Sequence, residues 1–476
     1  MHLHLLRMGI GAVVLAWGSG CGSSSASPDA PPAPPCSAPT GAGTMHNTYI
    51  TSDELWAAST SPHIITGNIS IQGATLTIEP CAVVRIANGM SVTIGATSGA
   101  PAKLIARGEM IANAGTDPTR RPVVIERAAA TAPWGMLRVF PTGSIDLETA
   151  DLSGGADPAT AQNLGGMVIG NGDGNGQPVV KNVRVVDVTI EGSAGFGINM
   201  QTGSAFTDDS ANVVVRGAGA IPSGTSIDTS YPVYLDGPAI SSLPTGTYTG
   251  NAKDEIFVAN ASGLTTDVTF HARGVPYRFE TNFSMAPTMT SDQGGLSTLT
   301  IEPGVTIRFT SGAPSAAWAM TLGVSSGMLP NQIWPVRLIA NGTPAAPIVL
   351  TSAEPTPAAG DWAGIKWAAG VADGNVMSHV TVDYAGGDSG TVGFGCGQSD
   401  NDAALIIRNW RPGNAFITES TFAHSAAGGI VSGWRSDLDG PNLGAGNTFT
   451  EIANGCNTTR WANDNGSCPS TPPICL

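Results

Sequence analysis

Charge is scarce in this chain. Asp, Glu, Lys and Arg make up 12% of its 476 residues, and aromatic residues only 6%. Exposed helical faces need Glu, Lys and Arg, so the composition argues against a mainly helical protein. Basic residues are the rarest: 21 Lys and Arg stand against 36 Asp and Glu, a net charge of −15. They form no basic stripe of the kind nucleic acid requires, so nucleic acid is excluded as a partner. The acidity is spread along the chain and reads as solubility. No two cysteines have CxxC spacing, which argues against a zinc site. HExxH and Gly-rich phosphate loops are missing too. After residue 45 there is no capped apolar stripe at i, i+3, i+4, i+7.

What the chain has in quantity is Gly (62) and Pro (34). Short apolar runs such as Val183–Ile190 and Phe416–Phe422 are bounded by Gly, Asn, Asp or Pro, the pattern of strand, turn, strand. The hexapeptide TLTIEP occurs at Thr75–Pro80 and again at Thr298–Pro303, 223 residues later (75 to 298). The repetition extends beyond it. TLTIEPCAVVRI (75–86) matches TLTIEPGVTIRF (298–309), and IANAGTDPTRRPVVI (111–125) matches IANGTPAAPIVL (339–350). Trp134 matches Trp362, and DLSGG (151–155) matches DYAGG (383–387). Two homologous halves are expected, 45–249 and 250–476, the second with a Cys-containing C-terminal cap.

The first residues have Arg7 and then an apolar run from Met8 to Trp17, too short to span a bilayer as a helix. With Gly18-Ser19-Gly20-Cys21 after it, residues 1–20 resemble a bacterial lipoprotein signal peptide. The resemblance implies lipidation of Cys21, though Gly18 stands where Leu is usual. Residues 21–44, rich in Ser and Pro, read as an extended tether. The expected location is the outer membrane or cell surface of a bacterium, reached by export and held by a lipid anchor. Six cysteines remain: Cys36, Cys81, Cys396, Cys456, Cys468 and Cys475. An even set in an exported protein reads as disulfides. Cys36 with Cys81 is the expected N-terminal pair. The other four allow three connectivities, of which Cys396–Cys456 with Cys468–Cys475 is the one expected here.

LTIEPGVTIRF, then LIANGTPAAPIVLTS, then GDWAGIKW resembles right-handed parallel β-helix proteins of the pectin-lyase-like superfamily. More closely, it resembles large exported bacterial β-helix proteins of unassigned function. It implies an all-β solenoid whose coils each carry three short strands. The residues support this independently. Leu76 and Ile78, and Leu299 and Ile301, alternate with polar neighbours and are expected to point inward, stacking as ladders between coils. Glu-Pro then ends the strand and begins a turn.

The resemblance also raises polysaccharide chemistry, since many members are lyases or hydrolases. Their Asn-Thr-Asp, Gly-His-Gly and Arg-Ile-Lys motifs are missing here, and no catalytic residue is assigned. Candidate metal ligands are Asp383, Asp388, Asp400 and Asp402, with calcium as the cation such Gly/Asp loops would take. Asp437, Asp439 and NGDGNG (171–176) are lesser candidates for the same role. A solvated turn is the plainer reading of each. Trp410, Trp434 and Arg435 are candidate ligand-binding residues, since Trp beside Arg in a loop can stack on a sugar ring. Covering an end of the solenoid would place them equally well. The function expected is a non-enzymatic surface scaffold for binding or adhesion, to polysaccharide or another surface protein. The alternative is a divergent polysaccharide lyase or glycoside hydrolase, which would need Asp383, Asp400 and Asp402 in one groove with Arg408, Arg411 and Arg435.

Overall fold

The computed structural model describes residues 34–113, 116–161, 165–172, 179–219, 228–287, 295–312, 317–325, 333–368, 371–390, 402–409, 411–434, 440–462 and 474–475. The chain is an all-β parallel β-helix solenoid. Among the described residues its longest sheet has thirteen strands, from Ile69–Ile71 at one end to Thr448–Ile452 at the other. Every pairing in it is parallel. Successive strands of the sheet are separated by excursions into other sheets, which is what winding the chain into coils produces.

Alternation decides which side chains enter the core. Leu76 and Ile78 are buried, as are Leu299 and Ile301, while the threonines between them are partly exposed. In the first half a ladder runs Leu76, Leu104, Ile145, Val183, each in register with the next. Each such side chain contributes about 1.5–3 kcal/mol on burial. One coil cannot enclose its own inward residues, so the gain exists only when coils stack.

The Glu-Pro corner has the same construction in both halves. Glu79 Oε2 accepts the Ala58 amide at 3.1 Å, and Glu302 Oε2 accepts the Ala272 amide at 2.9 Å. The amides of Ala82 and Val305 close the turns onto the carbonyls of Glu79 and Glu302. Each carboxylate thereby satisfies a backbone donor on the preceding coil, where a corner leaves it without a ladder partner.

The halves share the long sheet but join it out of phase. In the first half the strand after the corner, Val83–Ile86, lies in a separate twelve-stranded sheet, and the next strand, Val92–Ile94, enters the long sheet. In the second half the strand after the corner, Thr306–Phe309, itself enters the long sheet. Its successor, Ala319–Leu322, belongs to a different one. The second block is therefore rotated by one face relative to the first, and the long sheet crosses the junction unbroken through Val233–Asp236, Ile256–Ala259 and Tyr277–Phe279. Large rings fill the core there. Phe270, Tyr277, Phe279 and Phe283 pack together, and Phe279, Phe309 and Trp362 stack in sequence.

Two disulfides lie among the described residues. Cys36 joins Cys81, as expected. Cys456 joins Cys475, not Cys396, and Cys475 is therefore not free for Cys468. The reason is local: Thr458–Ala462 pairs antiparallel with Ile474–Cys475, which returns Cys475 to the edge beside Cys456. Cys396 and Cys468, like Cys21, lie outside the described residues.

Candidate binding groove

Of the four candidate calcium ligands, three are described, and they do not converge. Asp383 is engaged by His424 Nδ1 at 2.7 Å, and the Tyr384 ring stacks on that imidazole. Asp402 is buried and accepts both the amide and the hydroxyl of Ser389 through Oδ1. Burial holds its carboxyl above the usual range, opposed by the Ser389 bonds, and the nearby charge of Asp388 adds to the rise. Asp388 Oδ1 itself accepts the Gly390 amide. Among the described residues no three His, Cys, Asp or Glu side chains are grouped to hold a metal ion. Asp400, Asp437, Asp439, Trp410 and Arg435 lie outside the described residues, as does the 173–178 portion of the Gly/Asn loop. Trp434 ends the strand Gly428–Trp434, and its side chain is outside the description, as is that of Arg408.

Trp134 and Trp362 are both fully buried. The Trp134 indole Nε1 donates to the Ser153 carbonyl and that of Trp362 to the Asp383 carbonyl, each at 2.8 Å. Both rings serve packing, with the indole donor satisfied inside.

A groove that the sequence alone did not reveal lies at the edge of the long sheet, just before the junction. It encloses about 320 Å3 and is lined by Asn171, Gln201, Thr202, Tyr234, Asp236 and Asn260. The strands Gly166–Gly170, Phe196–Met200, Val233–Asp236 and Ile256–Ala259 are consecutive in the sheet. Asn171, Gln201 and Asn260 each follow one of them directly, and Asp236 ends the fourth. Leu235 points into the core, so alternation sends Tyr234 and Asp236 outward on either side of it. Tyr234 is backed by the rings of Phe257 (5.5 Å, stacked) and Phe196 (5.5 Å, edge-on). Burial pushes its hydroxyl up to about 12, and the carboxylate of Asp236 adds to this.

Asp236 is only 2% exposed. Its Oδ1 accepts from Asn260 Nδ2 at 2.7 Å. Its Oδ2 is buried and makes no hydrogen bond of ordinary geometry to the protein. Burial raises the carboxyl above its ordinary value, against the opposing pull of Thr202 and Asn260. Asn260 holds φ +47, a left-handed conformation that Asn tolerates better than most residues. The sequence signal was faint: a carboxamide or acid at the end of an apolar strand, four times in succession, followed soon by Gly. It is visible only once the strand register is known.

Beyond Asp236 along the same sheet, Glu255 joins Arg308 at 2.6 Å and Arg278 at 3.4 Å, and Arg278 also reaches Glu280. These charges satisfy one another, and none of the four is among the described residues lining the groove. No protein-family model, no curated protein and no solved structure matches this chain.

Proposed function

We propose that this protein is an exported, lipid-anchored surface scaffold whose rigid solenoid presents a polysaccharide-binding face. The observation that carries the reading is the groove. Three carboxamides, one threonine hydroxyl, one carboxylate and a ring-backed tyrosine line one concave site. Sugar hydroxyls both donate and accept hydrogen bonds, and such a lining matches them. A continuous parallel sheet holds these side chains on stacked strands, which keeps their spacing fixed. Attachment through Cys21 with the Ser/Pro tether would hold the solenoid away from the membrane.

A lyase or hydrolase makes a different demand. Glycoside hydrolysis uses two carboxyl groups roughly 5–10 Å apart, and the described lining of the groove offers one, Asp236.

The test uses the full-length protein on a glycan array, with reducing-end release and unsaturated-product absorbance measured over the same polysaccharides. Retention of a polysaccharide without turnover is expected. Turnover would replace the scaffold reading with the enzymatic one, and binding to nothing on the array would remove both. For the anchor, Cys21→Ser is expected to move the protein out of the membrane fraction.

A further inference from the structure

Leaving a carboxylate oxygen buried without a partner is destabilising, most of all when the group is charged. Asp236 is in that position at the wall of a groove. Thr202 and Asn260 favour its charged form, but burial outweighs them and Oδ2 keeps no hydrogen bond of ordinary geometry. Asn260 serves the other oxygen, and Arg278 and Arg308, on later strands of the same sheet, are held by Glu255. A group maintained at such a cost to the fold is a candidate for use by a ligand.

We propose that Asp236 anchors a subsite for a neutral sugar residue, its Oδ2 accepting a hydroxyl of the ligand while the carboxamides of Asn171, Gln201 and Asn260 bind neighbouring hydroxyls. The inference rests on the polysaccharide-binding reading and narrows it. An acidic sugar would bring a second carboxylate towards Asp236, and none of the described residues lining the groove is cationic to offset the repulsion. Calcium takes six to eight oxygens and commonly several carboxylates, whereas one carboxylate is found among the described residues lining this site. The Tyr234 ring, fixed by Phe257 and Phe196, supplies an apolar wall for a pyranose face. The volume of about 320 Å3 is at the small end of ligand sites, suited to one sugar unit.

The experiment is calorimetric titration of the full-length protein with gluco-, manno- and galacto-oligosaccharides, oligogalacturonate, and calcium chloride alone. It is repeated on Asp236→Asn and Gln201→Ala. Binding of a neutral oligosaccharide is expected, weakened about tenfold or more by Asp236→Asn, as for loss of a hydrogen bond to a charged group. Gln201→Ala, at a partly exposed position, is expected to weaken it severalfold with unchanged folding. Asp236→Asn is also expected to leave the melting temperature of the free protein unchanged or raised, since an amide replaces a desolvated charge. A lowered melting temperature would assign Asp236 a structural role and overturn the proposal. So would preference for oligogalacturonate, or calcium binding that Asp236→Asn abolishes. Neutral-sugar binding that survives both variants sinks the subsite and leaves the scaffold reading standing. Failure of every sugar to bind sinks both.

Discussion

Cys81 and Gly304 hold the same left-handed backbone conformation, φ +66 and φ +82, at the same point of two duplicated turns. Each follows Glu-Pro, and each amide donates at 3.0 Å to a carbonyl further along the chain, Pro122 or Ala346. Pro at the second position and positive φ at the third are the marks of a type II turn. Glycine adopts this φ freely, whereas a residue with a Cβ does so at a cost of about 1 kcal/mol. In a Cys36→Ala background, Cys81→Gly is therefore expected to be more stable than Cys81→Ala by about 1 kcal/mol. Gly304→Ala is expected to lose a similar amount, although a Cβ there would meet its nearest neighbour at an ordinary 3.7 Å. Urea denaturation of the four variants measures both differences. Equal stability of Cys81→Gly and Cys81→Ala would refute the argument.

Glu302 links the second turn to acid sensitivity. Burial works against its charge, but the bonds from His271 and the Ala272 amide outweigh it and hold the carboxyl below its ordinary range. A depressed acid contributes stability above its unfolded value of about 4.5, and that stability is lost as pH falls through the folded value. Glu302→Gln is expected to flatten the stability profile below pH ~4.5. Urea midpoints for wild type and variant across pH 3 to 7 decide it, and parallel curves would remove Glu302 from the account.

At the N-terminal end the same sign appears at a higher pH. His46 and His63 contact each other at 3.1 Å between ring nitrogens, and Trp56 stacks on both. Burial lowers both pKa values; the neighbouring His63 lowers that of His46 further, while Glu54 opposes it. Their unfolded value is 6.5, so the unfolded chain takes up protons first and stability falls as pH drops below it. Amide exchange in Thr44–His46 and His63–Ile65 is expected to quicken between pH 7.5 and 5, relative to strands at the junction. Uniform protection over that range would contradict this.

The stack of Phe309 on Trp362, with centroids 4.8 Å apart and planes 5° from parallel, lies in the ring-filled part of the core. Trp362→Ala is expected to cost about 3–5 kcal/mol, from lost burial and the cavity left behind. Phe309→Leu keeps most of the volume and is expected to cost about 1–2 kcal/mol. Chemical denaturation gives both numbers, and a Trp362→Ala loss under 1 kcal/mol would mean the core collapses around the gap.

The sequence by itself determined the strand alternation, the duplicated blocks and the Glu-Pro turn. These rest on neighbours within a few residues. Leu76 must face opposite to Thr77 in any strand, and Pro80 must end pairing in any coil. The tertiary structure alone decided how the coils stack. Whether Thr306–Phe309 continues the column of Val83–Ile86 or that of Val92–Ile94 depends on how the joining coils redistribute their faces, not on either repeat. The same holds for the groove. Asn171, Gln201, Asp236 and Asn260 meet because four strands of unequal spacing stack in one register, and nothing local to any of them specifies the other three. Among the described residues the candidate acids form no metal-holding group, and Asp383 instead faces His424, 41 residues away on the next coil, a partner that stacking supplied.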